Sequence, residues 1–203
     1  MGGLNTNTPM NRQTTNIINM SFKFEKLSLS GPLLIKPDVF KDERGVFMEI
    51  YKYSEFAKAG ITEQFSQDNR SYSKRHVLRG LHFQKNPLSQ GKLVSCLKGK
   101  MFDVAVDIRI GSPAYAQWVG VELSEENNAM FYIPSGFAHG FLVLSEAAEV
   151  LYKCTKEYSP ENERGIVWND PDIRISWPVK EPVLSEKDKT SPLLKDADNN
   201  FSY

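Results

Sequence analysis

The chain is short of cysteine and histidine and has no net charge, with two Cys, three His, and 25 basic against 25 acidic side chains in 203 residues. Cys96 and Cys154 both sit in apolar runs and lack metal-ligand spacing, so they read as buried free thiols in a reducing, cytoplasmic compartment rather than as a disulfide or zinc framework. A balanced charge gives no general attraction to nucleic acid or anionic lipid, and any positive field must be local to a site. No apolar run is long enough to span a bilayer, and the first residues lack the charged head and apolar stretch of a signal peptide. Nucleic acid and membrane are therefore set aside as partners.

What is present is a 40% apolar fraction, enough for one core of ordinary size. Residues 1–19 are polar and Asn/Thr-rich and read as a disordered tail, leaving residues 20–203 as a single domain. The start Met1-Gly2-Gly3-Leu4-Asn5-Thr6 fits an acylation pattern, but no polybasic segment follows to supply a second anchor.

Strand follows strand along the chain. In Phe102-Asp103-Val104-Ala105-Val106-Asp107-Ile108 the bulky apolar residues recur at every second position, the period of a half-buried strand. Similar runs cover 117–123, 129–133, 140–144 and 149–155, separated by clusters such as Gly111-Ser112-Pro113 and Pro134-Ser135-Gly136. Lys98-Gly99-Lys100 reads as a hairpin turn. This spacing predicts an all-β antiparallel sandwich or barrel. Helices are expected to be few and peripheral: one over 54–60 with Ser54 as N-cap and Gly60 just past its end, and one starting at Ser185.

Chemistry concentrates in Val77-Leu78-Arg79-Gly80-Leu81-His82-Phe83-Gln84, which places an imidazole and a guanidinium in one short element and suggests proton chemistry on an anionic substrate. His82 is either a general base or a hydrogen-bonded rim residue, with Gly80 and Gln84 on its face. His139 follows a Pro/Gly loop near the start of a strand, and His76 lies on a basic, solvated stretch. No His-x-His or His-x-x-x-His pair occurs, and two histidines fall short of a usual transition-metal set, which favours a site without metal. Tyr152 is a candidate acid or a packed phenol, Asp188 fits a capping box with Ser185, and Lys92 alone reads as a surface lysine. Arg79 and His82 differ by three positions and would face opposite ways on a regular strand. A bulge at Gly80 would bring them together.

A set of ordered motifs now carries a resemblance. Phe40-x-Asp42-x-Arg44-Gly45-x-Phe47-x-Glu49, Gln67-Asp68-Asn69-x-Ser71, Leu78-Arg79-Gly80-Leu81-His82-Phe83-Gln84, Gln90-Gly91-Lys92-Leu93-Val94, Asp103-Val104-Ala105-Val106-Asp107-Ile108-Arg109, Ile133-Pro134-x-Gly136-Phe137-Ala138-His139-Gly140-Phe141 and Trp168-Asn169-Asp170 resemble the dTDP-4-dehydrorhamnose 3,5-epimerase family. The resemblance implies a cupin-type jelly roll and a homodimer whose N-terminal strands pair across subunits. It also implies metal-independent, cofactor-free epimerisation of dTDP-4-dehydro-6-deoxy-D-glucose. Carried over by motif, His82 is the base, Asp188 its orienting partner, Tyr152 the acid and Lys92 the enolate stabiliser. Arg44, Phe47, Glu49, Gln67, Asn69, Arg79, His139, Glu163 and Lys187 line the nucleotide-sugar site, and Tyr158 stacks on thymine. The alternatives left open are a relative that inverts one carbon only, a sugar-nucleotide binding protein without turnover, and a metal-dependent cupin.

Overall fold

Period-two alternation gives each strand one face that meets the opposite sheet and another that needs a different cover. The computed structural model describes residues 22–203, so the polar segment 1–19 and its acylation pattern lie outside the described residues. In chain order the elements are β1 (Phe22–Lys26), β2 (Leu33–Pro37), β3 (Phe40–Asp42), β4 (Gly45–Phe47), α1 (Tyr53–Lys58), β5 (Gln67–Lys74), β6 (Leu78–Gln84) and β7 (Lys92–Lys98). There follow β8 (Lys100–Asp107), β9 (Trp118–Ser124), β10 (Met130–Ile133), β11 (Phe137–Val143), β12 (Ala147–Cys154), β13 (Glu163–Gly165) and α2 (Glu186–Lys189).

A six-stranded sheet, β1-β2-β10-β7-β12-β5, packs on a five-stranded sheet, β13-β6-β11-β8-β9, and β3 with β4 forms a separate hairpin. All ladders between these strands are antiparallel, the arrangement of a cupin-type jelly roll.

The inner faces meet through Val94, Phe131, Ile133 and Val150 on one sheet and Met101, Leu123, Phe141 and Val143 on the other. The outer face of the five-stranded sheet, with Leu81, Phe83, Val104 and Val106, is covered by Ile166, Ile173, Leu194 and Phe201 of the C-terminal segment. Phe56 of α1 and Ile61 cover Ile35, Leu93 and Met130 on the outer face of the six-stranded sheet. Fully burying a side chain such as Phe56 contributes about 2–3 kcal/mol, which is how a six-residue helix too short to persist alone stays formed.

Three expectations are corrected. β8 is not half-buried: Val104 and Val106 point outward under the C-terminal segment, while Asp103, Ala105 and Asp107 are also fully buried. Lys98-Gly99-Lys100 is a corner rather than a hairpin, because β7 and β8 belong to different sheets. Gly99 makes this corner at φ +77°, where a Cβ would lie 2.1 Å from the Ala147 carbonyl oxygen. Helix α1 takes Lys52 as its N-cap, with no side-chain cap, and Ser54 lies inside the first turn. The other helix forms as expected, with Ser185 Oγ accepting from the Asp188 N–H.

Candidate active site

The same alternation that sends Leu81 and Phe83 outward turns His82 and Gln84 inward, and along β12 it turns Val150, Tyr152 and Cys154 inward. At one end of the sandwich these inner faces change from apolar to polar. Two adjoining cavities of about 230 and 310 Å³ open there, and they share His82, Lys92, Tyr152 and Glu163. His82 stands on β6 and Tyr152 on β12, in opposite sheets, so the two line facing walls.

His82 Nε2 lies 2.6 Å from Asp188 Oδ1, and Ser185 Oγ donates to the other Asp188 oxygen at 2.9 Å. Burial pushes the Asp188 carboxyl up, but the bonds to His82 and Ser185 and the charges of His82 and Lys187 outweigh it and hold the group below the usual range. An ionised Asp188 places the ring hydrogen on Nε2 and leaves Nδ1 as the basic nitrogen.

Lys92, on β7, is partly buried and makes no hydrogen bond or ion pair among the described residues. Burial lowers its pKa, while Cys154, Asp103 and Glu163 pull it back up. The Tyr152 phenol is raised, first by burial and then by Cys154, with Arg79 opposing.

Arg79 reaches the second cavity together with His82 because Gly80 and Leu81 oppose the single residue Gly140 between the pairs His139↔His82 and Phe141↔Arg79. Gly80 is at φ +130°, and a Cβ there would come within 2.5 Å of Gly140 Cα. Arg79 Nε donates to Ser73 Oγ at 3.0 Å. On the remaining walls, Lys187 pairs with Glu163 at 2.5 Å, and Tyr158 Oη donates to Glu163 at 2.7 Å. Gln67 accepts from the Tyr158 N–H and donates to Asn69, each at 2.8 Å. Tyr158 therefore shares the first cavity with Tyr152; β12 ends at Cys154, so the chain does not run straight between them as a continuous strand would. His139 is buried inside β11 rather than at its start, with Nε2 2.6 Å from Asp103 Oδ1.

Arg44, Phe47 and Glu49 are not brought to these cavities. Arg44 bonds Asp42 on the β3–β4 hairpin, where Val46 and Phe47 stand more than half exposed, and Glu49 has a buried carboxylate oxygen without a partner. Ser71, Gln84 and Cys154 also line the cavities, each two positions from an expected site residue on the same strand face, a spacing that marks them from the sequence alone. Among the described residues no group of three or more His, Cys, Asp or Glu side chains is arranged to hold a metal ion.

The sequence matches the model of the dTDP-4-dehydrorhamnose 3,5-epimerase family over residues 26–196. The chain belongs to that family. A dTDP-4-dehydrorhamnose 3,5-epimerase of Salmonella typhimurium is 53% identical over 174 residues, covering 85% of this chain and 95% of that protein. The crystal structure of a dTDP-6-deoxy-D-glucose-3,5-epimerase from Legionella pneumophila, in complex with dTDP-4-keto-L-rhamnose, superposes with a TM-score of 0.83 at 48% identity, covering 86% of this chain and 93% of that one. A 3'-monoepimerase from Streptomyces bikiniensis in complex with dTDP-quinovose matches with a TM-score of 0.80 at 34% identity over 84% of this chain and 87% of that one. In this 3,5-epimerase family member, the cavity between the sheets is thus the candidate active site.

Proposed function

We propose that this chain inverts C3 and C5 of dTDP-4-dehydro-6-deoxy-D-glucose to give dTDP-4-dehydro-L-rhamnose, the epimerisation step of dTDP-L-rhamnose biosynthesis. One observation carries the reading: a carboxylate-held histidine and a phenol on facing walls of one cavity that also holds an unpaired lysine.

Both carbons flank the C4 ketone, so loss of either proton gives an enolate whose charge spreads onto the carbonyl oxygen. Nδ1 of His82 removes the proton from one face of the ring, and Asp188 orients the imidazole and stabilises its charged form. The Lys92 ammonium stabilises negative charge that develops on O4 during the step. Tyr152 returns a proton from the opposite wall, and burial keeps its phenol protonated until a base as strong as an enolate calls for it. One C–H bond breaks and one forms at each centre with no change of oxidation state, so the balance requires no redox cofactor.

Arg79 and Lys187 supply positive charge for the diphosphate, Tyr158 a ring for thymine, and Gln67, Asn69, His139 and Glu163 the polar lining. Arg44, Phe47 and Glu49 serve a neighbouring subunit in a homodimer, a reading supported by their absence from the lining of their own cavity and by the exposed Val46 and Phe47 of β4. Two free, buried thiols suit the cytoplasm, and no helix among the described residues is long and apolar enough to cross a membrane.

The test is incubation with dTDP-4-dehydro-6-deoxyglucose in D₂O. Deuterium should enter at both C3 and C5; label at neither carbon overturns the reading and leaves a binding protein. The likeness to a 3'-monoepimerase favours one competitor, which would label a single carbon.

A further inference from the structure

We propose that Asp103 is a positioning residue of this site: its buried carboxylate fixes the tautomer of His139 and supplies the negative charge that keeps Lys92 an ammonium. The purpose assigned to Asp103 rests on the epimerase reading.

Asp103 lies on the inner face of β8, opposite Phe141 of β11 and Val121 of β9, and is fully enclosed. One carboxylate oxygen takes His139 Nε2 at 2.6 Å, and the other has no hydrogen-bond partner. His139 sits directly across the β6–β11 ladder from His82, so two histidines share the cavity wall and each has its own carboxylate at the same 2.6 Å. Their surroundings differ. Asp188 also has the Ser185 hydroxyl and the neighbouring charge of Lys187, whereas Asp103 has one imidazole and nothing else.

A carboxylate withdrawn from water and served by a single donor is costly unless a cation balances it. Lys92, in the facing sheet, is the cavity cation that lacks a partner of its own. Charges interact strongly across an enclosed interior and are little screened by salt, so Asp103 acts on Lys92 without touching it.

His139 must stay neutral for this to hold, since an imidazolium there would cancel the anion and repel Lys92. Burial lowers its pKa; Lys92 and His82 push the same way against Asp103, and the net shift is downward. A neutral ring against a carboxylate carries its hydrogen on Nε2 and keeps Nδ1 as an acceptor. The other groups that act on or share the cavity with Lys92 are Cys154 and Tyr152 from β12, Glu163 from β13, His82 and Arg79 from β6, and Lys187 and Asp188 from α2. Glu163 is already paired with the Lys187 cation, and Asp188 has the Ser185 hydroxyl and the Lys187 charge besides His82, whereas Asp103 is bonded only to a neutral His139, so its charge is the one least balanced by other groups.

Asp103→Asn keeps the shape of the side chain and removes its charge. The protein is labelled with ¹³C at lysine Cε, and the Lys92 signal is assigned by its loss in Lys92→Arg. We expect that signal to titrate about one pH unit lower in the folded Asp103→Asn variant; an unmoved titration overturns the proposal, because a purely structural role would alter stability and leave Lys92 alone. Should the variant not fold, ¹⁵N spectra of the unsubstituted protein decide. A neutral His139 with hydrogen on Nε2 supports the proposal, and an Nδ1–H tautomer or an imidazolium at neutral pH defeats it. Neither readout needs turnover, so failure here is distinct from failure of the deuterium test.

Discussion

The histidine that sequence reading left between base and rim residue acquires a definite chemistry from one contact. With Asp188 on Nε2, the basic nitrogen of His82 is Nδ1, a detail that no spacing in the chain reveals because the partner lies 106 positions away. His82→Ala should therefore lower kcat by about 10²- to 10⁴-fold while isothermal titration calorimetry finds dTDP affinity little changed. A parallel loss of dTDP affinity would make His82 a binding residue. Lys92 shows the reverse limit of sequence reading. Alone it reads as a surface lysine, and only the sheet pairing that turns it inward beside Tyr152 and Cys154 makes it an enclosed cation.

At the level of the strand, the conflict between Arg79 and His82 was legible in the sequence, and so was its resolution at Gly80. Three positions cannot share a face without an inserted residue, and the ladder has that residue where glycine permits it. Gly80→Ala forces a Cβ toward the Gly140 backbone at a positive φ, and should cost about 2–4 kcal/mol in urea unfolding while misdirecting Arg79 or His82. A variant with unchanged midpoint and activity would show the bulge to be incidental. What alternation could not tell was burial on both faces. In β8 the outward Val104 and Val106 looked like one buried face against a polar one, but Asp103 and Asp107 are interior acids, since Asp107 is held by Arg109 and Ser112 and Asp103 by His139. The cover over the outer face comes from a segment with little regular structure, anchored where the Asp170 carboxylate accepts from the N–H groups of Asp172, Ile173 and Leu194. Such segments leave no periodic trace.

For the molecule as a whole, stability should depend on acid in a definite direction. Burial pushes the Asp107, Glu163 and Asp188 carboxyls up, yet their hydrogen bonds and cationic neighbours bring all three below their ordinary values. Groups depressed in the folded state stabilise it above the usual carboxylate pKa, near 4, and that contribution is lost as pH falls through their folded values. The melting temperature should thus hold steady from neutrality to about pH 5 and drop steeply below about pH 4; a flat profile down to pH 3 would mean these contacts contribute nothing. The proposed homodimer is tested at the same scale. If the β3–β4 hairpin lies in its interface, Phe47→Glu should shift sedimentation toward a smaller species than the unsubstituted protein; identical sedimentation of the two would remove the hairpin from the interface. The long reach from His82 to Asp188 also bears on biosynthesis. A ribosome that has released every strand of both sheets has still made only an unarmed base, for the carboxylate that holds the imidazole emerges later, with α2.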